Sequence, residues 1–265
     1  MTGSPTLDLP CLHNQNGHSS PGSIDFTPIV GGQYARPGQF PWMAIVHQLY
    51  MSGGYGSCGG SIISERWVLT AAHCVTDGPR RYLVVLGETD QQKVRGQTYL
   101  GQGVAMMTST VVVHPQYAQD INDIALLYMP RTIPFGQNIN KIGLSGRSYT
   151  EETLVGKRAL IMGWGNTGQH RSSRDLQWAQ IPILSGYECF RDWLQTGPSH
   201  ICTQPMTGAD ACIGDSGGPL VIATNKGTMQ IGIVSFGDDY CPSSRAGVFT
   251  RVSSFIEWIQ QVTAQ

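Results

Sequence analysis

Charge of either sign is scarce in this chain. Of 265 residues, 17 are Lys or Arg and 18 are Asp or Glu, a formal net charge of −1. So balanced a composition lacks the basic footprint that a nucleic-acid backbone demands. No apolar run approaches the ~20 residues that span a bilayer, which excludes an ordinary transmembrane helix. The opening residues Met1-Thr2-Gly3-Ser4-Pro5 lack the basic and apolar regions of a signal peptide, so the chain as given is read as trimmed or tagged. Asn-x-Ser/Thr does not occur, and N-glycosylation is not expected. There is no Cys-x-x-Cys, and His13, His18, His47, His114, His170 and His200 show no ligand-like spacing with one another or with nearby carboxylates. No metal and no cofactor is therefore expected.

What is abundant is glycine, with 33 residues, alongside 15 prolines and 7 cysteines. The length allows one large core. Cysteines without metal spacing indicate disulfides and an oxidising, extracellular compartment. Residues 1–28 are rich in Pro, Ser, Gly, Asn and His, with too few apolar side chains to offset the entropy of ordering, and are read as a flexible segment. From Ile29 onward, short β-rich stretches such as Trp67-Val68-Leu69-Thr70, Tyr82-Leu83-Val84-Val85-Leu86 and Gln230-Ile231-Gly232-Ile233-Val234 alternate with Gly/Pro turns, the pattern of an antiparallel sandwich or barrel. At the C-terminus the apolar period changes: Phe255, Ile259 and Val262 share a helical face, and Ser254-x-x-Glu257 reads as a capping box, giving a helix over about 253–263.

Three segments carry chemistry. They are Thr70-Ala71-Ala72-His73-Cys74, Asp123-Ile124-Ala125-Leu126-Leu127 and Gly214-Asp215-Ser216-Gly217-Gly218-Pro219. A serine hydroxyl is a weak nucleophile unless an imidazole takes its proton, and the imidazole works best when a carboxylate fixes its tautomer. His73, Asp123 and Ser216 are the candidates for base, orienter and nucleophile. Their order along the chain, with Ile29-Val30-Gly31-Gly32, Gly163-Trp164-Gly165, Ser235-Phe236-Gly237 and the cysteine spacing, resembles the trypsin-like, chymotrypsin-fold serine proteases over residues 29–265.

The resemblance implies an all-β fold of two antiparallel six-stranded barrels, with the active site in the cleft between them and a C-terminal α-helix packed on one barrel. It implies an oxyanion hole from the N–H groups of Gly214 and Ser216, and disulfides Cys58–Cys74, Cys189–Cys202 and Cys212–Cys241. Asp210 would form the floor of the primary pocket and select Arg or Lys before the cut. Gly237 and Gly247 would be its small walls, with Ala211, Ser235 and Phe236 also lining the substrate groove. Residues 1–28 would be a pro-segment and 29–265 the protease domain. Cleavage before Ile29 would free an ammonium that pairs with Asp215. The implied partners are polypeptide substrates and protein inhibitors, with no nucleic acid or membrane.

Several positions depart from the pattern. Pro28, where Arg or Lys would invite a tryptic activator, precedes Ile29. Cys11 lacks its usual partner because Gly143 stands in that place, leaving the thiol free or available for an intermolecular bridge. Ala159 and Ile222 replace a further bridge by apolar packing. Phe236 and Phe249 stand for Trp and Tyr near the pocket, and Asp238 and Asp239 follow at the groove rim as a solvated acidic loop or a preference for upstream basic residues. In the loop that binds calcium in vertebrate-type trypsins, Arg95 and Thr98 occupy ligand positions, so no tight calcium site is expected and Arg95 is expected to pair with Glu88. The segment His170-Arg171-Ser172-Ser173-Arg174 is a self-cleavage site or a solvated turn. The leading expectation is an extracellular endopeptidase, made as a zymogen, that cuts after Arg or Lys. A broader, chymotrypsin- or collagenase-like specificity, or a catalytically silent binding homologue, are the alternatives.

Overall fold

The computed structural model describes residues 32–264, apart from 77–80, 167–171, 208–210, 226, 239 and 242. Almost all of its regular structure is antiparallel strand. The first sheet runs in the order Val104–Thr108, Arg81–Leu86, Met43–Leu49, Tyr55–Ile62, Trp67–Thr70, Ala125–Tyr128, Val111–Val113. Its two outer members are halves of one bent strand, broken only at residues 109–110. At the bend Thr108 Oγ1 donates to Tyr128 O at 2.6 Å and Tyr128 N donates to Thr110 O at 3.0 Å, so the sheet curls back on itself. Counted this way, six strands make the first barrel.

The second sheet runs Gln177–Pro182, Arg158–Gly163, Pro219–Thr224, Gly227–Phe236, Gly247–Arg251, His200–Thr203. A bridge between Ile183 and Thr203, with Leu184 N to Cys202 O at 2.9 Å and Gln204 N to Pro182 O at 3.0 Å, joins its ends into a second six-stranded ring. Gln33–Tyr34 pairs with Gln177–Pro182 outside that ring, and Gly143–Leu144 adds a short parallel contact to Gly227–Phe236.

The strand alternation explains how the barrels dock. In Arg81–Leu86, Tyr82, Val84 and Leu86 point into the first barrel, while Leu83 and Val85 point the other way. Those outward residues, with Met43, Ile45 and Leu49, meet Met162, Trp164, Leu176 and Val221 of the second barrel in a third apolar core. A strand buried on both faces reads as an unbroken apolar run, as Tyr82-Leu83-Val84-Val85-Leu86 does. The seam also carries a buried polar link, Ser61 Oγ to Gln230 Oε1 at 2.6 Å.

The C-terminal helix is Ile256–Thr263, shorter at its start than the capping-box reading gave. Ser254 belongs to a 3-10 turn, Val252–Ser254, and the residue entering the helix is Phe255, with no side-chain cap. Glu257 instead forms an ion pair with Arg147. The apolar face is as the period requires: Phe255 and Ile259 are buried in the first barrel's core, with Val262 against it. Among the described residues no helix is long and apolar enough to cross a membrane.

Candidate active site

His73 opens the single helical turn His73–Thr76, directly after strand Trp67–Thr70. Asp123 precedes the neighbouring strand Ala125–Tyr128, so strand pairing brings the two together across 50 residues. Asp123 Oδ2 lies 2.7 Å from His73 Nδ1, and Oδ1 accepts the His73 backbone N–H at 2.9 Å. The second-barrel residue Ser235 adds a third bond, Oγ to Asp123 Oδ2 at 2.6 Å. Burial alone would push the Asp123 carboxyl upward, but the hydrogen bond and charge of His73, then Ser235, hold it below the ordinary aspartate range. The ring is the exposed partner, with side-chain accessibilities of 32% for His73 and 4% for Asp123.

Ser216 sits in a turn tied to both barrels. Its carbonyl accepts Gly59 N at 2.7 Å, and Gly217 N donates to Val234 O at 2.9 Å. Gly214 has φ +100° and Gly217 φ +78°, which side-chain-bearing residues rarely adopt. A Cβ on Gly217 would also stand 2.2 Å from Thr70 Oγ1. Asp215 turns inward, 2% exposed, where Gly165 N donates to Oδ1 at 2.7 Å and Cys212 N to Oδ2 at 2.9 Å. Gly163 and Gly165 form its cradle, since a Cβ on either would fall 2.0 and 2.3 Å from its carboxylate oxygens.

Beside Ser216 opens a pocket of about 210 Å³, lined among others by Ala211, Ser235, Phe236, Gly237, Gly247 and Phe249. Gly237 and Gly247 face each other, a Cβ on the first lying 3.9 Å from the Cα of the second. Phe236 packs edge-on against Trp193, with ring centroids 5.4 Å apart.

Residues 29–259 match the model of the trypsin family. The chain belongs to the trypsin-like serine protease family. It is 33% identical over 249 residues to CLIP domain-containing serine protease B4 of Anopheles gambiae, covering 88% of this chain and 69% of that protein. It is 33% identical to coagulation factor IX of Oryctolagus cuniculus, over 90% of this chain and 86% of the relative. Phenoloxidase-activating factor 3 of Holotrichia diomphalia is 34% identical, over 91% of this chain and 74% of its own.

Of the residues singled out in the sequence, Ala211, Ser216, Ser235, Phe236, Gly237 and Gly247 line the pocket beside Ser216, and His73 and Asp123 line a second cavity that shares Ser235 with it, while Gly214 and the buried Asp215 belong to the turn that carries Ser216. Asp210, Ile29, Pro28, Cys11, His170, Arg171 and Asp239 lie outside the described residues. The cysteines pair as Cys58–Cys74, Cys189–Cys202 and Cys212–Cys241. Cys58, Cys74 and His73 gather three ligand-type atoms within 4.8 Å, but both sulfurs are spent in a disulfide and offer no thiolate to a metal.

The partner assigned to Glu88 needs correction. Lys93 Nζ, not Arg95, lies 3.2 Å from Glu88 Oε1, and Tyr99 donates its hydroxyl to Oε2 at 2.8 Å. Val94–Arg95 pairs with Thr98–Tyr99 in a tiny hairpin whose alternation buries Val94 and turns Arg95 outward. Three further features carry no local motif: the Ser235 bond to Asp123, the Trp193 support under Phe236, and Asp120 at the edge of the cleft. Each is a contact between segments distant in sequence.

Proposed function

We propose that this chain is a secreted endopeptidase, made as a zymogen, that hydrolyses peptide bonds after Arg or Lys through an acyl-enzyme. The observation that carries the reading is the threefold clasp on Asp123, which fixes the His73 ring through Nδ1 and its backbone N–H. Ser216 Oγ attacks the scissile carbonyl as Nε2 takes its proton, and Asp123 stabilises the imidazolium. The oxyanion draws on the N–H groups of Gly214 and Ser216, a contribution of about 3 kcal/mol per donor. Collapse breaks the C–N bond, and His73 returns its proton to the leaving amine. Water, deprotonated by the same nitrogen, then releases the acid and restores Ser216.

Specificity for a cation rests on Asp210, which directly precedes the pocket-lining Ala211 in the sequence, and on glycines that leave room for a long side chain. Activation rests on Asp215. Its buried carboxylate accepts Gly165 N and Cys212 N, and in a processed chain the Ile29 ammonium would pair with it. Because Pro28 blocks a tryptic cut, the activator is a protease of other specificity or a stepwise trimming. The three disulfides favour an oxidising compartment.

A fluorophosphonate probe and peptides with Arg, Lys, Phe or Leu before the cut test the reading. Labelling of Ser216, with hydrolysis after Arg and Lys that Asp210→Ser abolishes, is the expected result. Labelling with cuts after Phe or Leu makes the enzyme a broader protease, and no labelling after exposure of Ile29 makes it a silent homologue. Trypsin alone should not yield an active chain starting at Ile29.

A further inference from the structure

A cavity of about 200 Å³ lies beside the Cys189–Cys202 bridge, lined among others by Glu151, Leu184, Pro198, His200 and Arg251. It shares no lining residue with either cavity at His73 and Ser216. Leu184, Pro198 and the disulfide give it apolar walls, and Arg251 and Glu151 give it charge of both signs.

Arg251 is the last residue of strand Gly247–Arg251, where alternation puts it on the side of the fully buried Phe249, and it is itself only 8% exposed. Its Nε donates to Pro198 O at 2.9 Å and its Nη2 to His200 O at 2.8 Å, which fixes the planar head against the loop at 198–200. Nη1 is buried and has no hydrogen-bond partner. A buried guanidinium bonded only to neutral carbonyls keeps most of its charge unanswered. Burial accordingly lowers its pKa from the ordinary value, and the charges of Glu151 and Glu152 oppose that shift.

Glu151 opens the short helix Glu151–Leu154. Its Oε1 accepts Gly186 N at 2.6 Å, and among the described residues Oε2 has no hydrogen-bond partner. Glu151 and Arg251 form no ion pair with each other. The remaining polar side chains of the wall are engaged within the protein. Thr196 Oγ1 donates to Trp193 O at 2.8 Å, while His200 accepts Gly197 N on Nδ1 at 3.0 Å and donates from Nε2 to Asp120 O at 2.9 Å. The cavity therefore leaves unused one N–H of a cation and one oxygen of an anion, held apart from each other.

A ligand with a single charge satisfies one of these groups and is repelled by the other. A molecule carrying both charges satisfies the two together, and the volume admits only a small one. We propose that this cavity binds a small amino-carboxylate, with its carboxylate on Arg251 and its ammonium on Glu151. The site involves neither His73 nor Ser216, so it stands or falls independently of the protease reading.

Calorimetric titration of the full chain with glycine, β-alanine and γ-aminobutyrate tests the proposal, with acetate and methylammonium as single-charge controls. One of the three, selected by the spacing of the two walls, should bind about tenfold more tightly than either control, the size of one charge-assisted hydrogen bond. Glu151→Gln keeps an oxygen for Gly186 N and removes the charge; it should erase the advantage over acetate, with an unchanged melting temperature reporting an intact fold. Arg251→Met should abolish binding of the amino-carboxylates and of acetate alike. Where Arg251→Met fails to fold, Glu151→Gln decides alone. Absence of saturable binding by all three amino-carboxylates, or an advantage over acetate that survives Glu151→Gln, overturns the proposal.

Discussion

Asp123 and Asp215 are both nearly inaccessible, at 3% and 2% exposure, and adjoin the candidate catalytic side chains His73 and Ser216, yet they are held by opposite means. Asp123 is bound mainly by side chains, the His73 ring and the Ser235 hydroxyl, with one backbone N–H. Asp215 has backbone donors from Gly165 and Cys212 and is fitted into a space that exists only because Gly163 and Gly165 have no side chains. The first carboxylate is tuned by chemistry and the second by room. Substitutions that alter hydrogen bonding should therefore strike Asp123, while those that alter volume by one methyl should strike Asp215.

The largest effect is expected from Asp123→Asn. Its amide presents a donor to His73 and favours the wrong tautomer, and kcat should fall by about 10⁴, the size known for this change in Ser-His-Asp enzymes. Probe labelling of Ser216 should slow in parallel while the melting temperature changes little. Next comes Gly165→Ala. A methyl 2.3 Å from Asp215 Oδ2 must displace the carboxylate and with it the N–H groups of 214 and 216. Loss of oxyanion donation costs about 10²–10³ in kcat. If Gly165→Ala retains full kcat, the volume side of the comparison collapses.

Ser235→Ala sharpens the chemical side. Removing one donor to an ionised group costs about tenfold in kcat/KM. Because that donor favours the charged form, its loss raises the Asp123 carboxyl from its depressed position. An unchanged kcat/KM in Ser235→Ala would mean that the His73 bonds alone hold Asp123.

Much of this site was readable because its parts sit in short local motifs fixed by neighbouring strands. His73 follows one strand, Asp123 precedes its neighbour, and Ser216 is framed by glycines whose left-handed backbone the sequence announces. The helix face of Phe255, Ile259 and Val262 was readable for the same reason, since a period is local. The capping box was not. Ser254 and Glu257 have the right spacing, but a 3-10 turn absorbed the serine and Arg147, over a hundred residues away, took the glutamate. Glu88 shows the same limit: Lys93 reaches it from the 3-10 turn Gln91–Lys93, while the hairpin that follows turns Arg95 outward. Asp120 lies in a segment without any motif, and its place depends on His200 across the barrel junction.

Glu88 supplies the smallest predicted effect, being held partly by backbone N–H groups of Thr89 and Asp90 and partly by Tyr99 and Lys93. Burial pushes its carboxyl up, but those donors and the Lys93 charge prevail and hold it below the usual range. A depressed folded pKa means stability that is complete above the unfolded value of about 4.3 and is lost as pH falls through the lower folded value. Melting temperature should therefore drop across that acid window, and Glu88→Gln should flatten the drop. An unchanged slope would remove Glu88 from the balance.

Among the described residues every disulfide lies within one barrel: Cys58–Cys74 in the first, Cys189–Cys202 and Cys212–Cys241 in the second. The halves are held together by the polypeptide connecting segment, by the apolar seam of Leu83, Val85, Met162 and Trp164, and by hydrogen bonds such as Ser61 to Gln230 and Ser235 to Asp123, with no disulfide between them among the described residues. A single nick in the exposed stretch near residues 134–138 would thus leave two fragments clasped without a covalent bond. Such a nicked enzyme should keep its activity in native buffer and come apart into its two halves in denaturant with no reductant added.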